Sequence, residues 1–235
     1  MTSHPPVPPP PAPPPSSTSA ASLDFGKAFT FPFQDPDWLS KTLIGGLFSL
    51  LGLLLVGHFF VVGYLARLAR NVAAGMERPL PAWDDLGEYF VEGFKLVMVG
   101  LAYSLPLILL VFMVAIPAGI LESQGADTAS EMLGGVLLCL AFPILLVLMV
   151  IVPAAITRAA VLGRAGAAFE LGTIFTYIKA NAVNYVLAIL VYIVANFASQ
   201  FGLLLCCIGI FFTNFLSLVM TTWAFAETHR LSTVK

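Results

Sequence analysis

The chain reads as an all-α, polytopic helical membrane protein, with about five to six membrane segments arranged as three units of an amphipathic helix followed by a hairpin. Three observations predict this. No Asp, Glu, Lys or Arg occurs between Lys41 and Arg67, between Lys95 and Glu122, between Glu131 and Arg158, or from Ala180 to Ala226. A bilayer crossing needs about 20 predominantly apolar residues, so each stretch suffices for one and the last for two. The composition agrees: 59% of residues are hydrophobic, 10% are charged, and the mean hydropathy is +0.93. A soluble domain carries roughly 25% charged residues and would not expose so much apolar surface. Finally, runs such as 107–112 and 144–148 show none of the alternation that a membrane barrel requires, which leaves helices that satisfy their own backbone.

The N-terminus divides from the rest. Residues 5–15 are all proline except Val7 and Ala12, and serines follow. This favours an extended polyproline tether, so 1–22 reads as a disordered proline-rich tail and 23–235 as the helical membrane domain. The tail lacks the basic start and apolar core of a secretory signal. It serves as a spacer or as a docking site for a proline-reading module.

The first apolar stretch, 42–66, has two readings: one tilted span of about 37 Å, or two short half-helices turning near 52–57. A repeated pattern favours the hairpin. An acid, Phe or Leu, Gly, two further residues and Phe recur as Asp24 to Phe29, Asp85 to Phe90 and Glu170 to Phe175. The later two copies precede paired apolar stretches, 96–121 with 132–156 and 183–204 with 208–226, so the first copy should precede a pair too. Pro106, Pro117, Pro143 and Pro153 predict kinks within the spans. The loop from Glu122 to Glu131 holds three acids and no base, whereas basic residues occupy 67–95, 158–179 and the C-terminus. The positive-inside rule therefore places those basic segments in the cytoplasm and the acidic loop outside, in a multi-pass protein of the cell (cytoplasmic) membrane.

The second copy is the clearest unit. Asp85 and Glu88 have capping-box spacing. Leu86, Tyr89, Phe90, Gly93 and Phe94 then share one face, with Asp85, Glu88, Glu92 and Lys95 opposite. This is an amphipathic helix suited to the interface before the chain turns inward. The run Leu80-Pro81-Ala82-Trp83-Asp84-Asp85-Leu86-Gly87 resembles a prokaryotic integral membrane family, domain of unknown function 4013. Gly63-Tyr64-Leu65-Ala66-Arg67 before it and Phe90-Val91-Glu92-Gly93-Phe94-Lys95 after it add to the resemblance, which extends from about Asp24 onward. It implies an integral membrane protein of bacteria or archaea and brings no activity with it.

Two sets of residues are candidates for function. Trp83, Asp84, Asp85, Glu88 and Glu92 form a candidate interaction surface. Asp84, Glu88 and Glu92 share a helix face that holds Ca²⁺ or Mg²⁺ in principle, or is simply solvated, with Glu92 pairing with Lys95. His58, Asn196, Gln200 and Asn214 mark a candidate polar intramembrane path. The bland alternatives are a neutral His58 imidazole bonded between helices, and interhelical hydrogen bonds that also involve Ser199, Thr213, Ser217 and Thr221. Gly45, Gly46, Gly52, Gly57 and Gly63 permit close helix contact or a sharp turn. Arg67, Arg70 and Arg78 suit anionic head groups.

Cys139, Cys206 and Cys207 suggest neither a zinc site nor a disulfide framework. No Gly-x-Ser-x-Gly, His-Glu-x-x-His or phosphate-cradling glycine loop occurs, so we expect no enzyme, cofactor or metal. The net charge of −2 points away from nucleic acid. Expected partners are the lipid bilayer and a membrane or cytoplasmic protein, with no oligomeric state set by the sequence. The expected role is a non-enzymatic membrane module that organises partners or lipid. The alternatives are a small transporter or passive pore near Asn196 and Asn214, and an interfacial enzyme using Asp84, Asp85 or Glu88.

Overall fold

The computed structural model describes residues 22–204 and 208–233, which are built of helices without a strand. The tail assigned to 1–22 therefore lies outside the described residues except for Ser22, as do Cys206 and Cys207. Each of the three motif acids stands immediately before a helix. Asp24 caps α1 (Phe25–Thr30) by accepting from the Lys27 backbone N–H at 3.0 Å. A short 3-10 turn bearing Pro32 leads to α2 (Trp38–Leu51) and then α3 (Val56–Ala73). Asp85 caps α4 (Leu86–Ser123), which is joined to α5 (Asp127–Leu162) by three residues with Gly125 at φ +75°. Glu170 precedes α6 (Leu171–Ala180), and α7 (Ala182–Ser199) and α8 (Gly209–Thr233) complete the fold.

Two expectations change here. α4 runs unbroken from the motif into the apolar stretch, so the second amphipathic segment is the root of a long helix rather than a separate interfacial one. No turn intervenes because Gly93, the weak point for a helix, is packed against α3. The acidic loop is also shorter than the sequence suggested: Glu122 and Glu131 lie on the helices it joins.

The first apolar stretch folds back on itself. Phe48 of α2 and Phe60 of α3 have ring centroids 4.9 Å apart, whereas twelve residues of straight helix rise about 18 Å. The reversal uses a 3-10 turn at Gly52–Leu54 and then Leu55 at φ +66°, the one non-glycine residue with positive φ among those described. Gly57 seals it, since a Cβ there would stand 2.2 Å from the Phe48 carbonyl oxygen. With 14 residues, α2 is about 21 Å long, short of the roughly 30 Å hydrocarbon core. The expected five to six membrane segments thus become four helices long and apolar enough to cross: α4, α5, α7 with its extension to Leu204, and α8. A fifth is added if Phe25–Gln34 and Trp38–Leu54, bent by 98°, count as one span.

The core sits where α3 crosses α8, with α2 and the roots of α4 and α5 around it. Phe215 and Phe212 of α8 press onto Gly45 and Gly46 of α2, where any Cβ would collide with the rings at 2.1–2.2 Å. Buried residues of α4 and α5 lie within 89–99 and 151–160; between Gly100 and Val150 only Val114 is buried. The rest of that hairpin is an apolar arm about 36 Å long, enough to cross the hydrocarbon of a bilayer.

Candidate functional site

The motif loop before α4 is held by its carbonyls. Pro79 and Pro81 have no N–H to offer, so the loop presents mainly acceptors. Four consecutive carbonyls are each met by a side chain: Asn71 Nδ2 donates to Pro79 at 2.8 Å, Lys41 Nζ to Leu80 at 3.1 Å, Tyr64 Oη to Pro81 at 3.1 Å and Tyr89 Oη to Ala82 at 2.6 Å. These donors come from α2, α3 and α4, so the loop ties three helices together. Lys41 also pairs with Asp35 at 2.7 Å, a well-buried acid beneath the loop.

Trp83 follows this run and turns inward. Its ring stacks on Tyr64 at 4.3 Å and on Phe48 at 5.0 Å, and its Nε1 donates to the Lys41 carbonyl at 3.0 Å. The expectation that Trp83 offers an interaction surface is corrected: it is half-buried, because an indole with apolar neighbours and an acceptor in reach gains more from packing than from exposure. Asp84 and Asp85 are exposed beside it. Asp85 accepts from the Glu88 N–H at 3.1 Å, but the reciprocal half of a capping box is missing.

Glu88 instead reaches Arg67 at 2.7 Å, with Arg70 3.6 Å away, and Arg70 grips Glu92 through both terminal nitrogens. The expected Glu92–Lys95 pairing is therefore replaced by an inter-helix one. Arg67 is pushed above the ordinary guanidinium pKa by its hydrogen bond to Glu88 and by the charge of that carboxylate. The helices come this close because glycines meet backbone: a Cβ at Gly63 would lie 1.9 Å from the Tyr89 carbonyl oxygen, and one at Gly93 1.7 Å from that of Phe59. The two arginines follow Gly63 by one and two turns, on the side where the paired glutamates stand. Among the described residues no three His, Cys, Asp or Glu side chains converge as metal ligands.

A family model matches residues 46–208. The chain belongs to the family described as Protein of unknown function (DUF4013). The DUF4013 match is narrower than the resemblance from Asp24 onward: it takes in α3 to α7 and the pinned loop, and leaves out α1 and α8. No curated protein and no solved structure matches the chain.

The second candidate set is scattered. His58 is exposed in the first turn of α3, beside Leu53, Leu54 and Leu55 at the tip of the α2–α3 hairpin, rather than held between helices. Asn196 is half-buried and donates to the Tyr192 carbonyl of its own helix at 3.0 Å, while Gln200 and Asn214 are exposed. Polar ties between α7 and α8 come instead from Thr213, whose hydroxyl donates to the Ser199 carbonyl at 2.7 Å, and from Thr228, whose hydroxyl reaches the Asn184 carbonyl at 3.4 Å. Ser217 and Thr221 each bury a hydroxyl oxygen that makes no hydrogen bond.

Sequence reasoning missed the carbonyl cradle and the Gly63–Gly93 crossing. The signals were present: two prolines in a short polar-free run, tyrosines flanking it, and glycines on facing helices. None of these says which helix each residue meets.

Proposed function

We propose that this DUF4013 chain is a multi-pass protein of the cell membrane, with 67–95, 158–179 and the C-terminus at the cytoplasmic face, and that it works as a non-enzymatic module organising a protein partner or local lipid. The segregation of charge carries this reading. The ion pairs Lys41–Asp35, Arg67–Glu88, Arg70–Glu92, Arg158–Glu170 and Arg230–Glu227 all flank the uncharged stretches. Coupled carriers keep a titratable or ion-binding group at depth; the four long apolar stretches of α4, α5, α7 and α8 hold no Asp, Glu, Lys, Arg or His, and His58 lies exposed at the tip of the α2–α3 hairpin. The rigid loop supports a fixed, exposed acidic corner at Asp84 and Asp85, suited to a partner with basic side chains.

Topology is tested by single cysteines in a background with Cys139, Cys206 and Cys207 replaced. Gly125→Cys should react with an impermeant maleimide on intact cells, and Asp84→Cys only after permeabilisation; the reverse pattern refutes the orientation. A photo-crosslinker at position 84 should give a discrete adduct that Asp85→Arg weakens. Solute flux through reconstituted vesicles that disappears in Asn196→Leu would replace the module reading with the transporter.

A further inference from the structure

We propose that the groove between α4 and the turn after α5 seats one anionic phospholipid of the leaflet at the basic boundary, with its phosphate on Lys95 and an acyl chain against Phe94, Met98 and Phe169. This rests on the membrane-spanning reading above. The groove is lined by Phe94, Lys95, Met98 and Val99 of α4 and by two residues of a short 3-10 turn, Ala165–Phe169, its first and its last. Tyr103 fixes that turn against α4: its hydroxyl donates to the Ala168 carbonyl, and its ring stacks on Phe169 at 5.6 Å. Val99 is buried as the floor, whereas Phe94, Met98 and Phe169 stay exposed.

Charge selects the occupant. Glu92, the acid nearest Lys95 along α4, is gripped by Arg70 instead, and Lys95 has no carboxylate within 4 Å among the described residues. Across the groove Glu170 is taken by Arg158, with Arg164 3.8 Å from its other oxygen. Arg70, Lys95, Arg158 and Arg164 are thus answered only by Glu92 and Glu170, which leaves positive charge in excess. An ammonium without a partner, carrying three donors, suits a phosphate group. A neutral ligand gains nothing from that excess.

The order of the groups along the groove agrees. Lys95 is the last charge of α4 before Glu122. Val99 and Tyr103 follow it by one and two turns on the same face, so the lined face runs about 12 Å from the boundary toward hydrocarbon. Cation first and apolar walls after is the sequence that a head group and its chain require. A soluble anion would meet Lys95 but leave the exposed Phe94, Met98 and Phe169 uncovered. An extended peptide would bring backbone N–H and C=O groups that these apolar side chains cannot satisfy. An anionic amphiphile matches both ends.

The test uses the full chain in nanodiscs holding equal amounts of dioleoylphosphatidylglycerol and dioleoylphosphatidylcholine. The chain is extracted in mild detergent and its retained lipid quantified by mass spectrometry. Wild type should prefer the phosphatidylglycerol, and Lys95→Gln should lower that preference by about fivefold. Lys179→Gln, at an exposed lysine of α6 outside the groove, should leave it unchanged. Phe169→Ala should lower retained phosphatidylglycerol by about threefold; if that variant aggregates, Met98→Gln gives the same comparison. Equal retention of the two lipids by wild type overturns the proposal. So does an equal effect of Lys95→Gln and Lys179→Gln, since the attraction would then belong to the basic boundary at large. Retention equal to wild type in the groove variants overturns the seat of the chain. Release of the chain from membranes by alkaline carbonate would instead refute the spanning reading itself, so the two failures are distinguishable.

Discussion

α5 and α8 are both long enough to cross a bilayer, yet they meet opposite fates. The most apolar window of α5 has a mean hydropathy of 3.1 and only 11% of it is buried in protein; that of α8 has 1.4, with 44% buried. α4 and α7 fall between in the same order, at 2.5 with 17% and 1.9 with 28%. In water the ranking would run the other way, since burial follows hydrophobicity there. Where lipid is the solvent, a leucine gains nothing by leaving it. Helices instead associate through close backbone approach and polar handles. The base of the molecule has both, in the Gly63–Gly93 crossing and the tyrosine, lysine and asparagine donors around the motif loop. The arm from Gly100 to Val150 is tied to other elements by polar contacts only near its root, where Tyr103 donates to the Ala168 carbonyl and the Val150 carbonyl accepts from Tyr185; its five glycines, Gly100, Gly119, Gly125, Gly134 and Gly135, have no atom of another element within 4 Å of where a Cβ would stand.

The contrast breaks most sharply at the glycines. We expect Gly93→Leu to lose on the order of 5 kcal/mol or more and to yield little monodisperse protein by size-exclusion chromatography. Gly100→Leu should elute like wild type. Equal behaviour of the two would mean that the base is no better packed than the arm. Next, Trp83→Ala should lower stability by about 3–5 kcal/mol in a denaturant titration of detergent-solubilised protein, since it removes a stacked ring and a donor together. A neutral result would return Trp83 to the surface role.

Tyr64→Phe removes only the hydroxyl that meets the Pro81 carbonyl, and should cost about 1–2 kcal/mol in the same titration. Arg70→Gln should cost less, about 0.5–1 kcal/mol, and the loss should shrink in high salt, because the pair with Glu92 is only partly shielded from solvent. Smallest of all, Phe112→Ala on the arm should stay within about 0.5 kcal/mol of wild type. A large loss there would show that a protein surface covers the arm.

Much of the outline was legible in residues alone. The absence of charge between Lys95 and Glu122, between Glu131 and Arg158 and from Ala180 to Ala226 marked the helices long and apolar enough to span, because an ion in hydrocarbon costs several kcal/mol wherever it sits and needs no knowledge of neighbours. The motif acids Asp24, Asp85 and Glu170 likewise marked three helix starts; Asp24 and Asp85 cap theirs, which depends on residues a few positions apart, whereas Glu170 pairs with Arg158 instead. What tertiary structure alone decided were the pairings across distance: Arg70 with Glu92 rather than Glu92 with Lys95, Trp83 inward rather than outward, and Asn196 bonded to its own helix rather than to Asn214. A local pattern gives the chemistry each side chain offers, but which partner wins depends on which helices touch. That in turn follows from where Gly63 and Gly93 let backbones meet and where Gly45 and Gly46 admit the rings of Phe215 and Phe212.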